Sequence, residues 1–298
     1  MKPFNPLVRL GFAAAILVAG ITSASAATLK TIASFSVLGD VVKQVGGEHV
    51  EVTSLVGPGG DPHEFAPTPD NARNLKAADV VFVSGFGLEG WLDRLISASG
   101  YQGTPVVASE GIPTRQLEED GETVTDPHVW NSPANVEIWV GNIEKALAAA
   151  DPEDAKAFAA NADAYLAKLK ELDAYARSRF DTVPEADRRI LTSHDAFGYF
   201  GDAYGITFLA PVGVSTETEA SAADVAALID QIKAEGVKAY FFESSNDPRL
   251  VQQIAGATGA EPGGELFVES LSDASGPAAT YADMFRHNVD LIAAALAK

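Results

Sequence analysis

Residues 151–180 read DPEDAKAFAANADAYLAKLKELDAYARSRF. Asp151 stands where a helix N-cap belongs and Pro152 at the first helical position, where proline's missing N–H costs nothing. Behind them Phe158, Ala162, Tyr165, Leu169, Leu172, Ala176 and Phe180 recur in steps of three and four, which is one apolar stripe of a helix. The spacing predicts a helix from Pro152 to Phe180, roughly 40 Å long at 1.5 Å per residue. No other segment sustains such a pattern over a comparable length.

On both sides the pattern changes. Thr28–Ser36 and Val50–Val56 alternate polar and apolar residues, and Asp79–Ser84 is the apolar run expected of a buried parallel strand. Helices are expected between them over Pro67–Ala77 and Gly90–Ala98, with another starting near Ala134. After Pro184 the alternation resumes, with strands at Arg189–Thr192, Val237–Phe242 and Leu266–Val268 and helices at Ala222–Glu235, Pro248–Thr258 and Tyr281–Leu296. Such alternation implies parallel sheets covered by helices. The expected fold class is α/β: two α/β lobes with parallel sheets, residues 27–150 and 182–298, joined by one long rigid helix over 151–181.

The chain's start sets its compartment. Lys2 and Arg9, the apolar run Leu10–Ile21 and the small residues Ala24-Ser25-Ala26 form a signal-peptide pattern, so residues 1–26 are expected to be removed and the mature chain to begin in the periplasm. The apolar run is shorter than the ~20 residues that cross a bilayer. The chain has no cysteine, so neither a thiol-linked lipid nor a disulfide is expected. The remaining 272 residues suit two cores better than one. Removing two basic and no acidic residues takes the net charge from −20 to −22, a balance that argues against nucleic acid and anionic lipid as partners.

Of five histidines, three sit where ligands are usually bound. His63 lies in the turn Gly57-Pro58-Gly59-Gly60-Asp61-Pro62-His63 after an apolar strand, and His194 follows the strand Ile190-Leu191-Thr192. Carboxyl ends of parallel strands are where α/β sheets hold ligands. His128 sits in Asp126-Pro127-His128-Val129-Trp130, repeating the Asp-Pro-His of residues 61–63, and a carboxylate two residues ahead could orient its ring. Each also has a plainer reading, as a helix cap, a loop histidine or a core histidine. His49 and His287 read as a surface turn and an amphipathic helix position. Three imidazoles from both halves could meet at one point and take a carboxylate or water as the fourth ligand of a metal. Glu269, after Leu266-Phe267-Val268, is in the right place, and Glu243, after Tyr240-Phe241-Phe242, is a candidate for a supporting role.

These segments resemble the periplasmic solute-binding proteins of zinc, manganese and iron ABC importers, the cluster A-I family, and within it the zinc-uptake branch. The likeness runs through Gly60-Asp61-Pro62-His63-Glu64-Phe65, Asp126-Pro127-His128-Val129-Trp130, Thr192-Ser193-His194-Asp195-Ala196-Phe197-Gly198-Tyr199-Phe200, Glu243-Ser244-Ser245 and Gly276-Pro277 with Tyr281. It implies two lobes bridged by a rigid helix, one metal in the cleft between them, and His63, His128 and His194 as ligands. Relatives usually supply an aspartate as fourth ligand where this chain has Glu269, which keeps the charge and reaches one methylene further. A long His-rich loop found in many zinc-uptake relatives is replaced by Glu118-Glu119-Asp120-Gly121-Glu122, expected to be a solvated turn.

The resemblance also implies a binding protein and not an enzyme, a monomer whose partner is the membrane permease of an ABC importer, with a periplasmic metallochaperone left open. Manganese-type relatives generally carry glutamate in place of His194. Three imidazoles and one carboxylate suit tetrahedral Zn²⁺ better than Mn²⁺. One Zn²⁺ per chain is therefore expected, with manganese or iron as the alternative cargo. A zinc-dependent hydrolase or an adhesin is the alternative of a different class; no His-Glu-x-x-His segment or nucleophile elbow supports hydrolysis.

Overall fold

Two four-stranded parallel sheets, one on each side of a long helix, organise the computed structural model, which describes residues 28–119, 122–218 and 220–298. The expected signal peptide, residues 1–26, lies outside the described residues, as do Asp120 and Gly121 of the acidic turn. In the first lobe β1 (Leu29–Phe35), α1 (Ser36–Gly46), β2 (Val50–Val56), α2 (Pro69–Lys76), β3 (Val80–Val83), α3 (Leu92–Ser99) and β4 (Val106–Val107) give the sheet order β2-β1-β3-β4. A hairpin of β5 (Gln116–Glu119) and β6 (Glu122–Thr125) follows, then α4 (Pro133–Ala150) and α5 (Ala155–Phe180). The second lobe runs β7 (Arg189–Leu191), α6 (Gly198–Tyr204), β8 (Thr207–Leu209), α7 (Ala222–Glu235), β9 (Ala239–Glu243), α8 (Arg249–Thr258), β10 (Glu261–Leu266) and α9 (Tyr281–Leu296), with sheet order β10-β9-β7-β8.

All seven apolar positions that predicted the long helix are buried in α5. Its regular part starts at Ala155 and not at Pro152, because Asp151 Oδ1 accepts the N–H groups of Glu153 (3.1 Å) and Asp154 (3.4 Å) and holds a separate turn there. At 1.5 Å per residue its 26 residues span about 39 Å. Helix α1 escaped the sequence reading because Val37, Val41, Val42 and Val45 favour strands. Their spacing is nonetheless helical, and they bury against the sheet. A Cβ on Gly39 would lie 2.3 Å from Ser54 Oγ, so a larger residue there would make the Ser54 side chain move.

The hydrophobic core does not stop at the lobe boundary. One continuous cluster runs from Phe35, Trp130 and Trp139 in the first lobe through Leu169 and Phe180 of α5 to Phe200, Phe241 and Phe285 in the second. The second sheet's other face has its own smaller cluster, Leu191, Leu209, Leu228, Ile232, Val237, Val251 and Ile254, under α7 and α8. α9 reaches back to the first lobe, where Tyr281 N–H donates to Asp40 Oδ2 (2.9 Å) and Tyr281 O–H to the Trp130 carbonyl (2.9 Å).

The strand expected over Leu266–Val268 instead ends at Leu266, since its neighbour β9 ends at Glu243, the partner of Leu266. Phe267 makes its backbone bonds with a side chain: its N–H donates to Asn288 Oδ1 (3.0 Å) and its carbonyl accepts from Asn288 Nδ2 (2.6 Å). The buried Asn288 thus plays the part of one more strand residue and aims the chain at Glu269. Asn288→Ala leaves two buried backbone groups unpaired at about 1–3 kcal/mol each, so urea denaturation should show a loss of about 2–6 kcal/mol. A loss under about 1 kcal/mol would contradict this role.

Candidate metal centre

Each of the four expected side chains is held by a different local device. His63 follows β2 through a turn in which Gly59 has φ 75°. Asp61 Oδ1 accepts the His63 N–H (2.8 Å) and the Glu64 N–H (3.4 Å), and Trp91 Nε1 donates to the Pro62 carbonyl (2.7 Å). Asp126 Oδ1 accepts both the His128 N–H (3.0 Å) and the ring Nδ1–H (2.9 Å), which turns Nε2 toward the cleft. Beyond β7, Glu243 Oε1 accepts the N–H groups of Ser193 (2.9 Å) and His194 (3.2 Å) while its Oε2 bonds His194 Nδ1. Asn246 Nδ2 donates to that same Oε2 (2.8 Å). Glu269 is placed by Asn288 on one side and by Trp130 Nε1, which donates to the Val268 carbonyl (2.6 Å), on the other.

The four side chains converge. His63, His128, His194 and Glu269 are all buried, and one ligand atom from each lies within 4.8 Å of the others. Glu269 Oε1 is 2.7 Å from His63 Nε2, 3.1 Å from His128 Nε2 and 3.4 Å from His194 Nε2, and the first two nitrogens are 3.2 Å apart. Ligands about 2.0–2.1 Å from one tetrahedral ion sit roughly 3.3 Å from each other, so the spacing fits a single small cation. His194 Nε2 and Glu269 Oε2 are buried without completing a hydrogen bond, which is costly for a site that ends with these groups and natural for one that coordinates. The charge points the same way. Three buried carboxylates, Asp126, Glu243 and Glu269, face one guanidinium, Arg115, at 3.4 Å from Asp126 Oδ2. Arg115 is shared with Asp202 (3.3 Å), so the cluster keeps an excess of negative charge that a cation offsets.

Burial works against charge on His194, yet Glu243 and Glu269 outweigh it and hold the ring well above the ordinary histidine range. His128 is likewise depressed by burial but raised overall by its bonds to Asp126 and Glu269. Burial would push Glu269 up, but His194, His63 and His128 hold it well below the usual carboxylate range. The histidine contribution to stability is complete below the unfolded pKa of about 6.5 and disappears as pH rises through the higher folded value. The Glu269 contribution is present above about pH 4.3 and disappears as pH falls through its lower folded value. In excess chelator, the melting-temperature advantage of the parent chain over His194→Asn should therefore be largest near pH 5–6 and shrink as pH rises. An advantage that grows toward pH 8 would overturn the assignment of these charges.

The plainer readings of His49 and His287 fit the structure: one ring pairs with Asp154 (2.6 Å), the other bonds the Glu265 carbonyl (2.9 Å), and neither joins the cluster. The two Asp-Pro-His copies differ in action. Asp126 orients its histidine's ring, as the repeat suggested, whereas Asp61 holds backbone N–H groups and takes a hydrogen bond from Thr216 Oγ1 (2.8 Å). Glu243, expected to support a ligand, bonds the ring of His194. Arg115 and Thr216 carried no sequence signal, since their partners lie 11 and 155 residues away, and Asn246, which bonds Glu243 three residues back, was not singled out. Tyr199, part of a segment that carries the resemblance, donates its O–H to the Asp126 carbonyl (3.1 Å) and accepts from Arg115 N–H (3.0 Å), tying α6 to the first lobe.

Residues 32–295 match the family described as ZnuA, zinc-uptake complex component A, periplasmic. The chain is 36% identical to the manganese-binding lipoprotein MntA of Bacillus subtilis, over 90% of each chain. It is 34% identical to the iron ABC transporter substrate-binding lipoprotein MtsA of Streptococcus pyogenes, over 94% of this chain and 92% of that one. Among solved structures, the periplasmic zinc binding protein TroA of Treponema pallidum superposes with a TM-score of 0.85 at 33% identity, covering 91% of this chain and all of that one. With nearly its whole described length matched and the fold shared, the chain belongs to the ZnuA family of periplasmic metal-binding components of ABC importers.

Proposed function

We propose that the chain captures one divalent transition metal in the periplasm, zinc by preference, and hands it to the membrane permease of an ABC importer. The observation that carries this reading is the convergence of His63, His128, His194 and Glu269 in one buried cluster. Three imidazole nitrogens and one carboxylate oxygen are the donor set of tetrahedral Zn²⁺, and the similar Treponema protein is described as zinc-binding. Capture and not hydrolysis is the function, because Glu269 fills the position that a catalytic zinc keeps for water. The chain acts as a monomer secreted by its signal peptide, and a metallochaperone is a further candidate partner.

One observation favours a second cargo. Glu269 Oε2 is buried and without a hydrogen bond, and a carboxylate that gives both oxygens raises the coordination number toward what Mn²⁺ and Fe²⁺ accept. Relatives named for manganese and for iron are consistent with it. Native mass spectrometry of the zinc-titrated chain should show one ion per chain, and His194→Ala should lose it at equal zinc. Retention by the variant would remove His194 from the ligands. Competition between zinc and manganese at equal free concentration should favour zinc, and manganese retention would assign the second cargo.

The carboxylate that holds His194 should matter nearly as much as a ligand. Glu243→Gln keeps the shape but loses the charge on Nδ1, and is expected to weaken zinc binding about 10–100-fold in a chelator competition. An unchanged affinity would reduce Glu243 to a packing residue.

A further inference from the structure

Buried ligands pose a question of access. His63 keeps 6% of its surface exposed, His194 1%, and His128 and Glu269 none, so an ion cannot reach the cluster unless something covering it moves. Two clefts border the cluster. One, beside His194, is lined by Asp61, Glu64, Ser193, Val212, Thr216 and Thr218; the other, beside His63, by Phe86, Leu88, Pro127, Val214, Ser215 and Glu217. Successive residues of a single segment, Val212 to Thr218, thus face opposite clefts, which makes that segment the wall between them and places it across the mouth of the site.

Both ends of this strap are tied to ligand-bearing backbone. At its start Val212 pairs with His194 in an isolated parallel bridge, and the Asp195 N–H donates to the Val212 carbonyl (3.1 Å). Further on, Thr216 Oγ1 donates to Asp61 Oδ2 (2.8 Å), the carboxylate whose other oxygen holds the His63 turn. The strap therefore belongs to the second lobe by its root, and the hydrogen bond from Thr216 to the Asp61 carboxylate ties it to the first lobe. Val214, within the strap, is 7% exposed.

We propose that Thr216 is a positioning residue that pins this strap over the metal, so that breaking its bond to Asp61 opens the path by which the ion leaves. The inference rests on the reading of the cluster as a metal site. Asp61 is bonded to His63, Glu64 and Thr216 together, so pinning the strap and shaping the His63 turn are done by one carboxylate. Lifting the strap frees Oδ2 while Oδ1 still holds the turn, and the ligands stay in place as the path opens. The strap governs the rate of release and leaves the coordination of the bound ion unchanged.

The test uses the mature zinc-loaded chain and an excess of a chromogenic chelator. Thr216→Val, which keeps the shape and removes the hydroxyl, is expected to speed zinc release about tenfold, the equivalent of about 1.4 kcal/mol. It should still bind one zinc per chain and keep the parent's absorption spectrum when loaded with Co²⁺. Thr216→Ser restores the donor and should release zinc at the parent rate. In hydrogen exchange, zinc should slow the amides of residues 212–218 in the parent and much less in Thr216→Val. Equal release rates in the parent and Thr216→Val, or a serine variant as fast as the valine one, would overturn the proposal. A parent chain that binds no zinc would instead remove the metal reading and the strap with it.

Discussion

Everything near the cleft is arranged around one expensive act, the burial of the Glu269 carboxylate among three imidazoles. A carboxylate with no exposed surface is tolerated only if opposite charge or strong donors meet it, and here the donors come from both lobes. The surrounding structure serves that encounter. Asn288 and Trp130 fix the backbone on either side of Val268, Asp126 and Glu243 fix two of the rings, and Ser270 and Leu271 bind Gly59 at the base of the His63 turn. Remove the cation and the same four side chains can hold one another only by sharing protons, which is why the two shifted histidines and Glu269 move in opposite directions from their ordinary values.

A cluster fed from two lobes keeps its geometry only if the lobes keep theirs. That is the work of the continuous core, in which α5 and α9 have residues packed into both halves. Closing and opening by hinge rotation would tear a packed interior, and packed interiors resist continuous deformation. Movement is cheaper where the molecule is thin: in the segment Val212–Thr218 and in the α7–α8 layer, which rests on a separate cluster of seven buried residues. Rigid lobes and a movable strap are thus two consequences of one distribution of apolar side chains.

The sequence made the long helix legible because seven apolar residues keep helical step over twenty-three positions, and it made the three histidines legible because each follows a strand or a repeated tripeptide. It misled where a local pattern has a nonlocal owner. Val37 to Val45 look like strand residues until the sheet they cover is known, and Phe267-Val268 look like the end of a strand because the partner that replaces the missing neighbour of Phe267, Asn288, comes 21 residues later. Glu118–Glu122, expected to be a solvated turn, lie in the hairpin Gln116–Thr125, whose mostly polar strands show no apolar alternation in the sequence. Asp61 and Thr216 are 155 residues apart, and no spacing rule connects them.

One of the two departures from the family pattern, glutamate where relatives usually carry aspartate at position 269, can be followed from the backbone into the cluster. The Val268 carbonyl is held by Trp130 and the Phe267 peptide by Asn288, so the Glu269 backbone cannot retreat to make room for its extra methylene. The added length must be taken up inside the cluster, and it is: one oxygen stands between three rings while the other remains without a hydrogen bond. With an ion present, the side chain has two ways to use that length. It can turn one oxygen to the metal, which completes a tetrahedron with the imidazoles, or offer both and build a higher coordination number. Glu269 can therefore offer one oxygen or two from a fixed backbone, and it does so beside the imidazoles of His63, His128 and His194.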